Sequence, residues 1–124
     1  MEFIEGPAFT RQLSQYLSED GYRALQNELA RNPEAGDLMP GTGGFRKVRW
    51  ADPRRGKGRR GGLRIIYYYL ARDSQIWLMT LFDKNEASDL SPKEKKALNA
   101  AIEAELDARD TKRDLRKQGL RRTQ

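Results

Sequence analysis

Basic side chains are concentrated in one stretch of this chain, and they are the residues with which it could do chemistry. Residues 41–72 carry ten basic groups and a single acidic one. Lys47 and Arg49 stand two apart in a segment with a strand pattern, so they project from the same face. Arg64 begins the next predicted strand, and Lys84 follows the last one. Converging cations of this kind could grip a phosphate and stabilise charge that develops on it during cleavage.

Proton transfer at such a site has few candidate side chains. The chain has no His, so a general base would have to be Lys, Glu, Asp or Tyr. Glu86 is the carboxylate beside the predicted cluster, and it could accept a proton. It could also simply pair with Lys84, which we favour because structural ion pairs are the commoner finding. The competing interpretation of the whole cluster is a solvated sheet face without a function.

A loop rich in glycine and basic residues, 52–62, separates two of the predicted strands. It could track phosphates and become ordered on binding, or it could be a disordered, solubilising loop. It is not a P-loop, because the required spacing of Gly and Lys is absent. Tyr68 projects to the face opposite Tyr67 and Tyr69, and could stack on a base. The candidate nucleic-acid-binding residues are Arg46, Arg54, Arg55, Lys57, Arg59, Arg60, Tyr68 and Asn85.

Composition excludes several classes of protein. The absence of Cys excludes a disulfide framework and a thiolate zinc site, and without His a transition-metal enzyme is not expected. No apolar run approaches the roughly 20 residues that span a bilayer, and the N-terminus lacks the basic start of a secretory signal. We therefore expect a cytoplasmic protein with no metal, no cofactor and no membrane partner.

The length of 124 residues suits one domain with a tail. We predict a domain over 1–108 and a charged C-terminal tail over 109–124. The tail holds too few apolar residues to anchor it, so it should be either a solvated helix or disordered.

Hydrophobic periodicity predicts two helices, three strands and a final helix, with a possible short strand at the N-terminus. Gly6-Pro7 opens the first helix, Ser18 caps the second, and the SPKE segment from Ser91 is a capping box for the last. The predicted strands form an antiparallel meander and cover residues 45–50, 63–70 and 75–82.

These elements predict an α+β fold, with an N-terminal helical hairpin packed on a small antiparallel β-sheet and a C-terminal helix. We expect the helices to lie on one side of the sheet. The other side should be an open, basic face.

Three segments together resemble the HigB-type branch of the RelE/ParE toxin superfamily. They are GTGGFRKVRW, RRGGLRIIYYYL and LMTLFDKNEASDLSPKEKKAL, joined by the basic loop, and the resemblance covers roughly residues 1 to 106. The motifs are specific in combination rather than singly. The resemblance implies a RelE-like fold, with the same helical hairpin on a curved antiparallel sheet.

The resemblance also implies a function: a toxin of a type II toxin–antitoxin system that cleaves mRNA on the ribosome. The partners would be a helix-turn-helix, HigA-like antitoxin, the ribosome and mRNA, with operator DNA bound only through the antitoxin. The implied reaction needs no metal, because the RNA 2′-hydroxyl attacks the adjacent phosphate. Lys47, Arg49, Arg64 and Lys84 match the family's basic positions. The chain departs from the family pattern at Phe82, Asn85 and Ser91, which leaves the general base unassigned.

Two other functions are compatible with the same residues. The first is a module that binds RNA or the ribosome without cutting, which the altered Tyr positions motivate. The second is a ParE-like toxin that inhibits gyrase, although the basic cluster is more typical of an RNA-cleaving toxin.

Overall fold

The computed structural model describes residues 1–51, 62–86 and 89–122, with side chains as far as residue 119. Within these ranges a short strand and two helices precede four strands and a long helix. The bounds are β1 Glu2–Glu5, α1 Pro7–Tyr16, α2 Glu19–Arg31, β2 Asp37–Leu38, β3 Arg46–Trp50, β4 Leu63–Leu70, β5 Gln75–Asp83 and α3 Pro92–Arg122, with a 3-10 turn at Ala71–Asp73.

The strands form one sheet in the order β1-β5-β4-β3-β2. The predicted antiparallel meander is present as β3, β4 and β5. The N-terminal strand joins it, but β1 runs parallel to β5, so the sheet is mixed rather than purely antiparallel. The two-residue strand β2 pairs with β3 and was not predicted, because the connection that contains it is dominated by Gly and Pro. The predicted α+β class with a RelE-like arrangement is confirmed.

The helical hairpin forms as its capping residues predict. Pro7 occupies the first turn of α1, where its missing N–H costs nothing. The Ser18 hydroxyl accepts a hydrogen bond from the Gly21 amide at 3.1 Å and so starts α2. Phe9, Leu25 and Leu29 are fully buried, and they pack with one face of the sheet in the larger hydrophobic core.

Helix α3 packs on the opposite face of the sheet. Neighbouring residues of β4 separate the two cores, because Ile65 belongs to the core under the hairpin and Ile66 to the core that contains Ile102 of α3. Met39, Phe45 and Phe82 complete this second core. The expectation of helices on one side and an open face on the other was therefore wrong. The basic residues of this face lie beside the second core, because Arg64 pairs with Phe82 and Lys47 contacts the segment that leads into α3.

The GTGG motif shapes the turn over which α3 crosses. The buried Thr42 hydroxyl donates to the Met39 carbonyl at 2.7 Å and accepts from the Phe45 amide at 3.1 Å. Gly43 has a φ of +79°, and a Cβ there would lie 2.3 Å from the Asn99 side chain of α3. Only glycine combines this backbone conformation with so close an approach.

Helix α3 starts at the predicted capping box and ends later than the apolar stripe suggests. The Ser91 amide donates to the Glu94 carboxylate at 2.9 Å, and the Glu94 amide donates to the Ser91 hydroxyl at 3.1 Å. The helix then continues through residue 122, so the described part of the charged tail is helical. Over the described ranges, no helix is long and apolar enough to cross a membrane.

Candidate nucleic-acid interface

Two arginines face each other across neighbouring strands at one end of the sheet. Arg49 of β3 is directly paired with Arg64 of β4, and Lys47 lies two residues along β3 on the same face. Like charges in directly opposed positions destabilise a sheet. Burial and the Arg49 charge lower the pKa of Arg64, and the nearby Asp83 carboxylate partly offsets them. A locally unfavourable concentration of cations is typical of a site that binds an anion.

Lys47 belongs to a second group of charges, which it shares with the segment leading into α3. Its ammonium lies 3.4 Å from the Asp89 carboxylate, and Lys95 of α3 approaches the same carboxylate at 3.2 Å. Burial alone would raise the pKa of Asp89, but the Leu90 amide and the two lysines hold it below its usual value. Asp89 therefore stays ionised, and it links the cationic strand to the start of α3.

The turn after β5 lies at the same end of the sheet. The pairings of Arg64 with Phe82 and of Leu63 with Asp83 bring the end of β5 beside the start of β4. The Lys84 amide donates to the Gly62 carbonyl at 3.4 Å, and the Asn85 amide donates to the buried Asp83 carboxylate at 2.8 Å. These bonds place Lys84 and Asn85, both exposed, at the end of the sheet where β4 starts and where Arg64 lies.

Glu86 is held on the hairpin side of this turn. Its carboxylate accepts a short hydrogen bond of 2.5 Å from the hydroxyl of Tyr16, the last residue of α1. The favoured ion pair with Lys84 is thus replaced by a tyrosine partner 70 positions earlier in the chain. Sequence spacing favours contacts between near neighbours, and the approach of α1 to this turn arises only from the packing of the hairpin on the sheet.

Two of the predicted nucleic-acid-binding residues are engaged elsewhere. Arg46 lies on the hairpin face of β3, opposite to Lys47 and Arg49, and donates to the Gly36 carbonyl at 2.8 Å. Tyr68 is half-buried and packs edge-on against Phe45, with 5.2 Å between the ring centroids. Neither is positioned with the cluster. The predicted loop residues lie outside the described ranges and are Arg54, Arg55, Lys57, Arg59 and Arg60.

Asp89 and Lys95 were not among the predicted site residues. Asp89 directly precedes the Leu90 and Ser91 positions that open α3, and Lys95 follows the capping box by one residue. The capping box was the sequence signal that could have indicated them, because it predicts that a helix with charged residues in its first turn starts after β5. What the pattern could not show is that this helix starts against β3.

No family model matches the sequence. Among solved structures, the chain is similar to the E. coli toxin RelE, in a double arginine-to-alanine mutant determined in the free state. The likeness has a TM-score of 0.50 at 12% sequence identity, and it covers 77% of this chain and 93% of that one. The chain has a RelE-like fold. In this RelE-like domain the cationic cluster occupies the end of the sheet at which β4 starts and β5 ends, beside the core that α3 covers.

Proposed function

We propose that this chain is a toxin of a type II toxin–antitoxin system, of the HigB type, that cleaves mRNA on the ribosome. The observation that carries the proposal is the group of three cations, Lys47, Arg49 and Arg64, on one face at the end of the sheet. The RelE-like fold and the three sequence motifs support it. A fixed group of cations suits a phosphate, because its charges need no reorganisation when the ligand binds.

The proposed reaction is an intramolecular transesterification. The 2′-oxygen of a nucleotide forms a bond to the adjacent phosphorus, and the bond from phosphorus to the 5′-oxygen of the next nucleotide breaks. The products are a 2′,3′-cyclic phosphate and a free 5′-hydroxyl, and the proton lost by the 2′-hydroxyl balances the one gained by the leaving oxygen. Arg49 and Arg64 would stabilise the additional negative charge on the phosphate in the transition state.

Charge stabilisation, rather than a strong base, is the main contribution that we assign to this site. The Glu86 carboxylate is occupied by the Tyr16 hydroxyl, and the Asp89 carboxylate by two lysines. The low pKa of Asp89 makes it a weak proton acceptor. Lys47, which Asp89 holds in place, would bind a phosphate oxygen as a cation.

The proposal includes the partners of such a toxin. A helix-turn-helix, HigA-like antitoxin would neutralise it in the cytoplasm, and the complex would reach operator DNA through the antitoxin. The ribosome would present the mRNA to the cationic cluster.

The test is cleavage of mRNA on programmed ribosomes by the purified protein, with the new 5′ ends mapped. We expect Arg64→Ala to reduce the cleavage rate by about 10²-fold, the effect of losing one group that stabilises transition-state charge. Arg46→Ala is the matched control, because it removes an Arg from the opposite face of the neighbouring strand. Both variants are compared under conditions where circular dichroism shows them folded.

Intact mRNA after incubation with the folded wild-type protein would contradict the proposed activity. Tight ribosome binding without cleavage would instead identify a non-cleaving module. Inhibition of gyrase in a supercoiling assay would identify a ParE-like toxin.

A further inference from the structure

A second concentration of basic side chains lies along the far half of α3. An open cleft of about 320 Å³ separates this part of the helix from the turn between β4 and β5. Four cations and two carboxylates line it, and they are Asp73, Glu105, Arg109, Lys112, Arg113 and Arg116. Spacings of three and four residues put the four cations on one side of the helix. This surface, the α3 cleft, is the second basic feature of the described chain.

The cations nearest the sheet are held in place. Arg109 lies 2.9 Å from the Asp73 carboxylate, and its guanidinium stacks over the Trp77 ring at 5.0 Å. Arg113 approaches the same carboxylate at 3.6 Å. Asp73 therefore fixes the angle of the helix against the turn, and the cleft is already formed without a ligand.

The outer cations remain available to a ligand. Lys112 and Arg116 are exposed, and across the part of the chain that the structure describes, no carboxylate lies within ion-pair distance of either. The acidic residues of this segment, Asp107, Asp110 and Asp114, follow one another at the same helical spacing on another side of α3. Glu105 lies on the cation side and pairs with Arg109 at 2.9 Å, so the part of this side that is attractive to an anion is the outer part, with Lys112 and Arg116.

The α3 cleft is remote from the cationic cluster. Arg64 lies at the start of β4, and the turn that lines the cleft follows Leu70 at its end. At about 3.3 Å per residue, the strand separates the two by roughly 20 Å. A single phosphate cannot contact both, so a ligand of the cleft would be a different group from the one at the cationic cluster.

We propose that the α3 cleft binds the phosphate backbone of double-stranded RNA. Among the described residues that line it none is aromatic, and the neighbouring Trp77 ring is covered by Arg109, whereas single-stranded RNA is usually held by base stacking on aromatic rings. Duplex RNA is recognised through its shape and backbone, which rigidly placed cations can do. This inference goes beyond the proposed cleavage, because it assigns a ligand to a second surface, whose four cations lie outside the sequence resemblance.

The test measures binding of a short duplex RNA, and separately of one of its strands, by fluorescence anisotropy over a range of salt concentrations. The variant is Lys112→Glu with Arg116→Glu. We expect it to weaken duplex binding by about tenfold or more, and to reduce the slope of log affinity against log salt by about two, one for each lost phosphate contact. The control, Arg11→Glu with Arg23→Glu, makes the same change in net charge on exposed residues of α1 and α2.

An equal loss in both double variants would overturn the inference, because it would show attraction to net charge alone. Tighter binding of the single strand than of the duplex would overturn it too. No ribosome is present in this assay. Failure of mRNA cleavage therefore leaves the binding result intact, and failure of duplex binding leaves the cleavage result intact.

Discussion

The three basic residues of β3 make different contacts. The face of the strand from which each side chain projects determines which contacts it makes. Arg46 points to the hairpin face and ties down the backbone at Gly36. Lys47 and Arg49 point to the other face, where Asp89 holds the first and Arg64 opposes the second. Strand alternation predicted this division from the sequence. The partners of Arg46 and Lys47 were not predictable, because they come from segments 10 and 42 positions away.

Among the three consecutive tyrosines, Tyr67 is a buried structural residue. Its hydroxyl donates to the Pro33 carbonyl at 2.7 Å and accepts from the Gly36 amide at 2.9 Å. Burial is the main reason that its pKa is raised. We expect Tyr67→Phe to lower the free energy of unfolding by about 1–3 kcal/mol, because it leaves buried backbone groups without a partner.

Urea denaturation of the two proteins measures this difference. Tyr69→Phe is the control, because Tyr69 is only half-buried at the edge of the same core, and its loss should be much smaller. Equal destabilisation by the two substitutions would contradict the assigned role of the Tyr67 hydroxyl.

At the level of the elements, α3 is made of three parts with different contacts. Its start is fixed by the capping box and by the Lys95–Asp89 pair. Its middle packs through Leu98, Ile102 and Leu106. Its last part has no apolar stripe and is joined to the turn before β5 by ion pairs. The sequence predicted the start and the middle. For the last part the sequence left a solvated helix and disorder as alternatives, because apolar periodicity does not detect a helix that charged contacts support.

The turn under α3 allows a prediction with a matched control. Gly41 and Gly43 have φ values of +80° and +79°, so Ala at either position costs about 1–2 kcal/mol from the left-handed conformation alone. A Cβ at Gly41 has nothing within 4 Å, whereas one at Gly43 lies 2.3 Å from Asn99 and 3.2 Å from the buried Ile102. Gly43→Ala should therefore destabilise the protein by about 1 kcal/mol or more beyond Gly41→Ala.

Thermal unfolding of both variants followed by circular dichroism tests this expectation. A Gly41→Ala protein that unfolds at the same temperature as Gly43→Ala, or below it, would show that the turn does not support α3 in the way described.

In the molecule as a whole, the two basic surfaces lie at opposite ends of one sheet, and the hairpin and α3 cover its two faces. The sequence predicted the fold class and the meander, and the roles assigned to the residues of the cationic cluster are still predictions. It missed that α3 covers the second face. The apolar character of Phe45, Ile66, Phe82 and the α3 residues predicts that they are buried, but it does not predict that they pack against each other.

The division of the chain at residue 108 is still a prediction, and the contacts around Asp73 offer a way to test it. Removal of residues 109–124 deletes the Arg109 stacking on Trp77 and the pairs of Arg109 and Arg113 with Asp73. A stacked cation and partly exposed ion pairs contribute about 1–2 kcal/mol together, so the shortened protein should be less stable by that amount. A chain ending at residue 118 keeps these contacts and should match the full-length protein in chemical denaturation. Equal stability of all three proteins would place the domain boundary at 108, whereas the expected loss would extend the folded domain to at least Arg113.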